Sequence, residues 1–427
     1  MASARRSLRL WTMAVVLALV CIVAPQVSAS VDQYAGALWG MKKVRAEAAW
    51  AKGAGQGVTV AVIDSGVDLT HEDLKSNLVP GYDFVDDDND PRDESGHGTH
   101  VAGIIAAVAN NGVGVAGVAP EAKIMPVRVL NEEGSGSQAD IEAGVRWAVA
   151  HGAKVVNMSL GADVIVEFLT GGTLSNAVNY AWSHGVIAVI SAGNDQLFRS
   201  ELRNAKAIVV TATTPDDRKA PYATGVGFAE WGMAAPGGTS EAGEKGMILS
   251  TFWDPEGRRY AYLEGTSMAA PHVAGAAAIL RGMGLSPQQT VNRLLSTAKD
   301  LGAQGKDSVF GHGRLDVAAA AQGQPGPEGE PGRTGSSAEG SSATGAPGSN
   351  ASGTRGAPGD VPRPRRVLPS LTPSATPTIS PTVRPTPTRV AVETSEGRGS
   401  VYAAMGAGAA AAGAVVLAAV LKRRYRS

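Results

Sequence analysis

Five short runs rich in β-branched residues are what most constrains this 427-residue chain: Val58–Ile63, Lys123–Leu130, Val155–Leu160, Val186–Ser191 and Ala207–Thr213. They are almost continuously apolar instead of alternating, which marks strands covered on both faces. Between and after them lie stretches with helical spacing, Gln138–Ala150, Thr173–Ser183 and Ser286–Ala298. The alternation predicts an α/β block over residues 30–321, a three-layer sandwich around a mostly parallel central sheet. Such folds place their sites at the carboxyl ends of the strands. The polar residues of this block cluster there.

Several common chemistries are absent. Gly53, Gly55 and Gly57 precede the first strand, whereas a dinucleotide fingerprint needs its glycines after one. No GxxxxGK[ST] loop, HExxH motif or cysteine pair is present. Three other segments carry chemistry. Asp64 closes the first strand in Ala61-Val-Ile-Asp-Ser-Gly66, and His97 opens a small-residue helix in Gly96-His-Gly-Thr-His-Val-Ala-Gly103. Ser267 lies in Gly265-Thr-Ser-Met-Ala-Ala-Pro-His-Val-Ala-Gly275. A serine hydroxyl attacks only when an imidazole takes its proton, and the imidazole needs a carboxylate to hold its tautomer. Each residue alone has a plainer reading: a turn aspartate, a structural histidine, an N-cap serine. All three motifs in one chain outweigh those readings. His100 and His272 read as packed histidines.

On these motifs the chain resembles the subtilisin-like serine peptidases, whose residues run Asp, His, Ser along the chain. The segment Gly311-His-Gly-Arg-Leu-Asp-Val-Ala-Ala-Ala320 resembles the end of the same domain. The resemblance implies a subtilisin-like fold, an endopeptidase with an acyl-enzyme intermediate, and no cofactor in the chemistry. Asn194, at the end of Ser191-Ala-Gly-Asn194, matches the family's oxyanion position. Ser159, Leu160 and Gly161 match its substrate-lining strand, where an extended peptide pairs by β-augmentation. Asp73 and Asn111 match positions that hold structural calcium in many members. The loop with Asp83, Asp86, Asp87, Asp88 and Asp90 offers Asp83, Asp88 and Asp90 to a second calcium. The stretch 195–206 departs from the family, carrying Arg199, Glu201, Arg203 and Lys206, so no preferred substrate side chain is assigned. Only 34 residues separate Ser30 from Asp64, too few for the family's large pro-domain.

Outside this block the chain changes character. Arg5, Arg6 and Arg9, an apolar run Leu10–Ala24 and small residues at Val27-Ser28-Ala29 read as a signal peptide over 1–29. The single cysteine, Cys21, falls in it, so a processed chain has no disulfide. Residues 322–400 form a Gly/Pro/Ser/Thr-rich spacer whose composition cannot support a core. Residues 401–421 carry no charge and are long enough to span a bilayer, and Lys422, Arg423, Arg424 and Arg426 follow. The basic tail 422–427 predicts a cytoplasmic end and an extracytoplasmic catalytic block. The overall charge of −1 averages a −10 block over 30–321 against basic ends. That argues against nucleic acid as a partner and leaves proteins, peptides and the membrane. This arrangement resembles the mycosins, membrane-anchored subtilisin-like proteases of actinobacterial type VII secretion. The resemblance implies a Gram-positive cell membrane and a place beside a secretion complex. A non-catalytic scaffold stabilising such an assembly is the rival reading.

Overall fold

The computed structural model describes residues 31–160, 173–195 and 205–323. Gly161, the leader, residues 324–400 of the expected spacer, and the 401–421 and 422–427 segments predicted above lie outside the described residues, whereas Gln322 and Gly323, assigned above to the spacer, end the last helix of the folded block. Among the described residues no helix is long and apolar enough to cross a membrane.

Seven strands form one sheet: β1 (Thr59–Asp64), β2 (Tyr82–Asp83), β3 (Lys123–Arg128), β4 (Val155–Met158), β5 (Ile187–Ser191), β6 (Ala207–Thr213) and β7 (Trp231–Pro236). Their order is β2-β3-β1-β4-β5-β6-β7, and every pairing is parallel. The helices are α1 (Trp39–Lys43), α2 (His97–Ala106), α3 (Gln138–Ala150), α4 (Thr173–Ser183), α5 (Thr266–Gly282), α6 (Pro287–Ser296) and α7 (Val317–Gln322). An antiparallel hairpin joins β8 (Ile248–Thr251) to β9 (Tyr260–Leu263).

The two-residue period of each strand divides the core into two layers. Val60, Val62, Val155, Ile187, Val189, Ile208 and Val210 join the cluster that includes α2 and α5. Ala61, Ile63, Val156, Ala188, Ile190 and Val209 join the cluster that includes α3 and α4. All of them are fully buried, as the unbroken apolar runs require. The expected helices Gln138–Ala150 and Thr173–Ser183 form with those bounds. β7 was not foreseen, because Trp231-Gly-Met-Ala-Ala-Pro236 has no β-branched residue. Its place at the sheet edge tolerates the terminal proline.

α2 and α5 pack against each other with two histidines sealed inside. His100 is 0% and His272 1% exposed. Burial pushes the His100 imidazole down to about 3 and that of His272 down to about 4. Between those values and the ordinary 6.5, the unfolded chain binds two protons that the folded chain refuses, so stability falls as pH falls. Asp73, raised to about 6, opposes this with one proton of the other sign. Of these three groups the two histidines outweigh the single acid, so together they make the fold less stable as pH falls from about 6 to about 4. Thermal unfolding of the Ser267→Ala protein, free of self-digestion, should show the midpoint dropping steadily over that range. A flat profile contradicts it.

Candidate active site

β1 lies between β3 and β4, so Asp64 ends a central strand at the carboxyl edge of the sheet. Its carboxylate is fully buried, and Oδ1 accepts hydrogen bonds from the Ser65 N–H at 2.8 Å and from His97 Nδ1 at 2.7 Å. The His97 ring remains 30% exposed, so its other edge faces the surface. Burial alone would lower the His97 pKa. The charge and hydrogen bond of Asp64, with a contribution from Asp93, raise it above its ordinary value instead. A histidine so held keeps its proton on Nδ1 and leaves Nε2 to act as a base.

His97 is the first residue of α2, and the close approach of that helix to β1 depends on Gly98. A Cβ there would sit 2.0 Å from the Gly66 carbonyl oxygen, which is sterically impossible. The hairpin secures the other side of the helix: Ser250 Oγ donates to the His100 carbonyl at 2.8 Å and Thr251 Oγ1 to that of Thr99 at 2.7 Å.

Ser267 is the second residue of α5, where the helix dipole presents its positive end. Pro271 lies four residues on and has no N–H to give the Ser267 carbonyl. That carbonyl accepts from Ser159 Oγ at 2.9 Å, and Asn157 Nδ2 donates to the same hydroxyl at 3.0 Å. The Ser159 side chain is thus buried against the serine segment, whereas the pairing expected of residues 159–161 runs through backbone groups. The Leu160 carbonyl is also engaged, accepting from Ser191 Oγ at 3.3 Å.

Asn194 follows β5 and is exposed. Its Oδ1 accepts from the Thr266 N–H and the Thr266 hydroxyl, both at 2.9 Å, and Thr266 Oγ1 accepts from the Gly193 N–H at 3.2 Å. With its oxygen tied to the residue before Ser267, the amide presents its nitrogen as the donor, and no described residue accepts from it.

Among the described residues no three His, Cys, Asp or Glu side chains are gathered as a metal cage. Asp73 and Asn111 do meet. Asp73 Oδ1 accepts from Asn111 Nδ2 at 2.8 Å, and Oδ2 from the Val115 N–H at 2.8 Å. Asp32, missed in the sequence, accepts from the N–H groups of Asn110, Asn111 and Gly112. Burial, reinforced by the charges of Asp32 and Glu72, pushes the Asp73 carboxyl up to about 6. Asn111 Oδ1 accepts from the Val113 N–H at 2.7 Å, so a hard cation between these acids would have to turn the Asn111 amide and displace backbone donors from their oxygens.

The second calcium set does not assemble. Asp83 and Asp86 bind Nη1 of buried Arg128, each at 2.6 Å, and Glu94 binds Nη2. Asp88 Oδ1 accepts from the Asp90 N–H, and Asp90 pairs with Arg92. The guanidinium at the end of β3 supplies the positive charge that the acidic loop requires.

Comparison with known proteins agrees with this geometry. Residues 55–313 match the Subtilase family. The chain belongs to that family. This subtilase is 38% identical to thermitase of Thermoactinomyces vulgaris over 286 residues, 66% of this chain and 95% of thermitase. It is 40% identical over 288 residues both to Subtilisin Savinase of Lederbergia lenta, covering 97% of it, and to a thermophilic serine proteinase of Bacillus sp. (strain AK1), covering 66% of it. Among solved structures, a protease of Pseudoalteromonas arctica superimposes with a TM-score of 0.60 at 33% identity, over 69% of this chain and 99% of that one. Fervidolysin of Fervidobacterium pennivorans gives 0.58 at 32% identity, over 70% of this chain and 47% of that one. The subtilase is a serine endopeptidase, and its fold is the α/β sandwich expected from its strands.

Proposed function

We propose that this subtilase cleaves peptide bonds with Asp64, His97 and Ser267 as its triad and Asn194 as oxyanion donor, while tethered to a cell membrane. The 2.7 Å hydrogen bond between the buried Asp64 carboxylate and the partly exposed His97 ring, at the carboxyl edge of the sheet, carries the catalytic reading. His97 Nε2 takes the Ser267 hydroxyl proton as Oγ attacks the carbonyl carbon, and Asp64 stabilises the imidazolium. The oxyanion receives hydrogen bonds from Asn194 Nδ2 and the Ser267 N–H. Collapse of this intermediate returns the proton from His97 to the leaving amine, and water then releases the acyl group by the same route. Substrate enters as an extended strand beside residues 159–161.

The tether rests on sequence: an uncharged 401–421 segment, a basic tail, and a leader followed by a processing site. One experiment addresses both parts. Membranes from cells expressing the full-length chain or Ser267→Ala are washed with carbonate and treated with a fluorophosphonate probe. Labelling of the parent alone, retained in the washed pellet, is expected. An unlabelled folded parent overturns the triad, and labelled protein released by the wash overturns the tether.

Calcium has no chemical step here. Held by Asp73, Asp32 and Asn111, it would replace an internal repulsion with an attraction. At a hundredfold excess over its Kd it should stabilise by about 2.7 kcal/mol, a rise on the order of 5 °C in the unfolding midpoint. Chelator should reverse the rise, and Asp73→Asn should abolish it. An equal midpoint with calcium and with chelator removes the site.

A further inference from the structure

A second carboxylate lies behind the Asp64–His97 pair. Asp93 is 2% exposed, and among the described residues no Lys or Arg side chain pairs with it. Hydrogen-bond donors alone meet its charge. Oδ1 accepts from Ser65 Oγ at 2.8 Å, the Ser95 N–H at 3.0 Å and the Gly96 N–H at 2.9 Å. Oδ2 accepts from the Thr99 N–H at 2.8 Å and the Thr99 hydroxyl at 2.6 Å. Burial pushes the Asp93 carboxyl up, and these donors oppose the rise.

The network explains how α2 is held. Gly96 is the helix N-cap and has no side chain to cap with. The Gly98 N–H goes to Ser65 Oγ at 3.0 Å, and the Thr99 N–H goes to Asp93. Ser65 adjoins Asp64, and its own N–H reaches the same Asp64 oxygen that receives His97 Nδ1. A closed ring therefore runs from Asp93 through Ser65 to Asp64, across to His97, and back along the first turn of α2. A capping acid at a helix start normally serves the helix alone. This one joins the helix start to the end of β1, the two elements that bear the reacting pair.

We propose that Asp93 is a positioning residue of the peptidase reaction: it docks the start of α2 on the end of β1 so that His97 meets Asp64, and its charge stabilises the imidazolium formed when His97 takes the serine proton. The proposal rests on the triad reading above. The charged and titratable groups around His97 are Asp64 from the end of β1, Asp93 from the loop before α2, and His100 from α2 itself. Arg128, paired with Asp64 in the sheet register, is already committed to Asp83, Asp86 and Glu94.

The test is the rate of fluorophosphonate labelling from pH 5 to 9, which needs no knowledge of substrate preference, on the full-length chain and three variants. Asp93→Asn should label roughly 10- to 100-fold more slowly, with the midpoint of the acid limb displaced downward by up to about one pH unit. Ser65→Ala breaks the ring without removing a charge and should slow labelling about threefold to tenfold with the midpoint unmoved. A purely structural cap would change the unfolding midpoint and leave the acid limb in place. Asp93→Asn with the parent's rate and midpoint overturns the proposal; so does Ser65→Ala at the parent's rate, should Asp93→Asn fail to fold. An inert His97→Ala beside an unaffected Asp93→Asn removes the positioning role alone. His97→Ala labelling at the parent's rate removes the triad and this proposal with it.

Discussion

Ser267→Ala is expected to lower kcat on a peptide substrate by a factor on the order of 10⁶, a magnitude taken over from subtilisin, a member of the same family. The fold should not change. Ser267 is in the first turn of α5, its carbonyl remains available to Ser159, and alanine is the best helix former. The loss is therefore chemical and should appear with KM nearly constant and the unfolding midpoint unmoved. His97→Ala should fall about as far, and the double variant no further, because the two act on one proton transfer. If Ser267→Ala retains more than about a hundredth of the parent's kcat, another nucleophile is at work and the assignment fails.

The size of that effect reflects how the parts converge from distant stretches of sequence. Strand and helix periodicity made the parallel sheet legible, and short motifs marked Asp64, His97 and Ser267. The supports were not legible, because their partners lie far apart in the chain. Pro271 reads as an oddity inside a helix until Ser159, 108 residues before Ser267, is seen to take up the freed carbonyl. The supporting role of the Ser159 side chain was hidden for the same reason: its strand position was visible and its partner was not. The acidic loop 83–90 suggested a cation by composition alone. Arg128, a single residue at the end of β3, supplies that charge and pairs with the loop across 42 to 45 positions. Asp32 was similarly obscured, since only the folded loop 110–112 turns three N–H groups toward it.

Asn194 tests the electrostatic half of the mechanism separately from proton transfer. Its Oδ1 is already satisfied twice by Thr266, and among the described residues no acceptor takes a hydrogen bond from Nδ2 of this exposed side chain. A donor fixed in this way needs no reorganisation when charge develops on the substrate oxygen. Asn194→Ala should lower kcat by about 10²–10³, again the scale known for subtilisin, with KM within about twofold, because a ground-state carbonyl gains little from the amide. Asn194→Asp should be at least as impaired, since it places a negative charge where the oxyanion forms. Unlike Ser267→Ala, the alanine variant should still label with a fluorophosphonate, at a reduced rate, and its acid limb should stay with that of the parent. That combination distinguishes a lost oxyanion donor from a disturbed His97. A raised KM at unchanged kcat would instead make Asn194 a contact for bound substrate and leave the oxyanion to backbone donors alone.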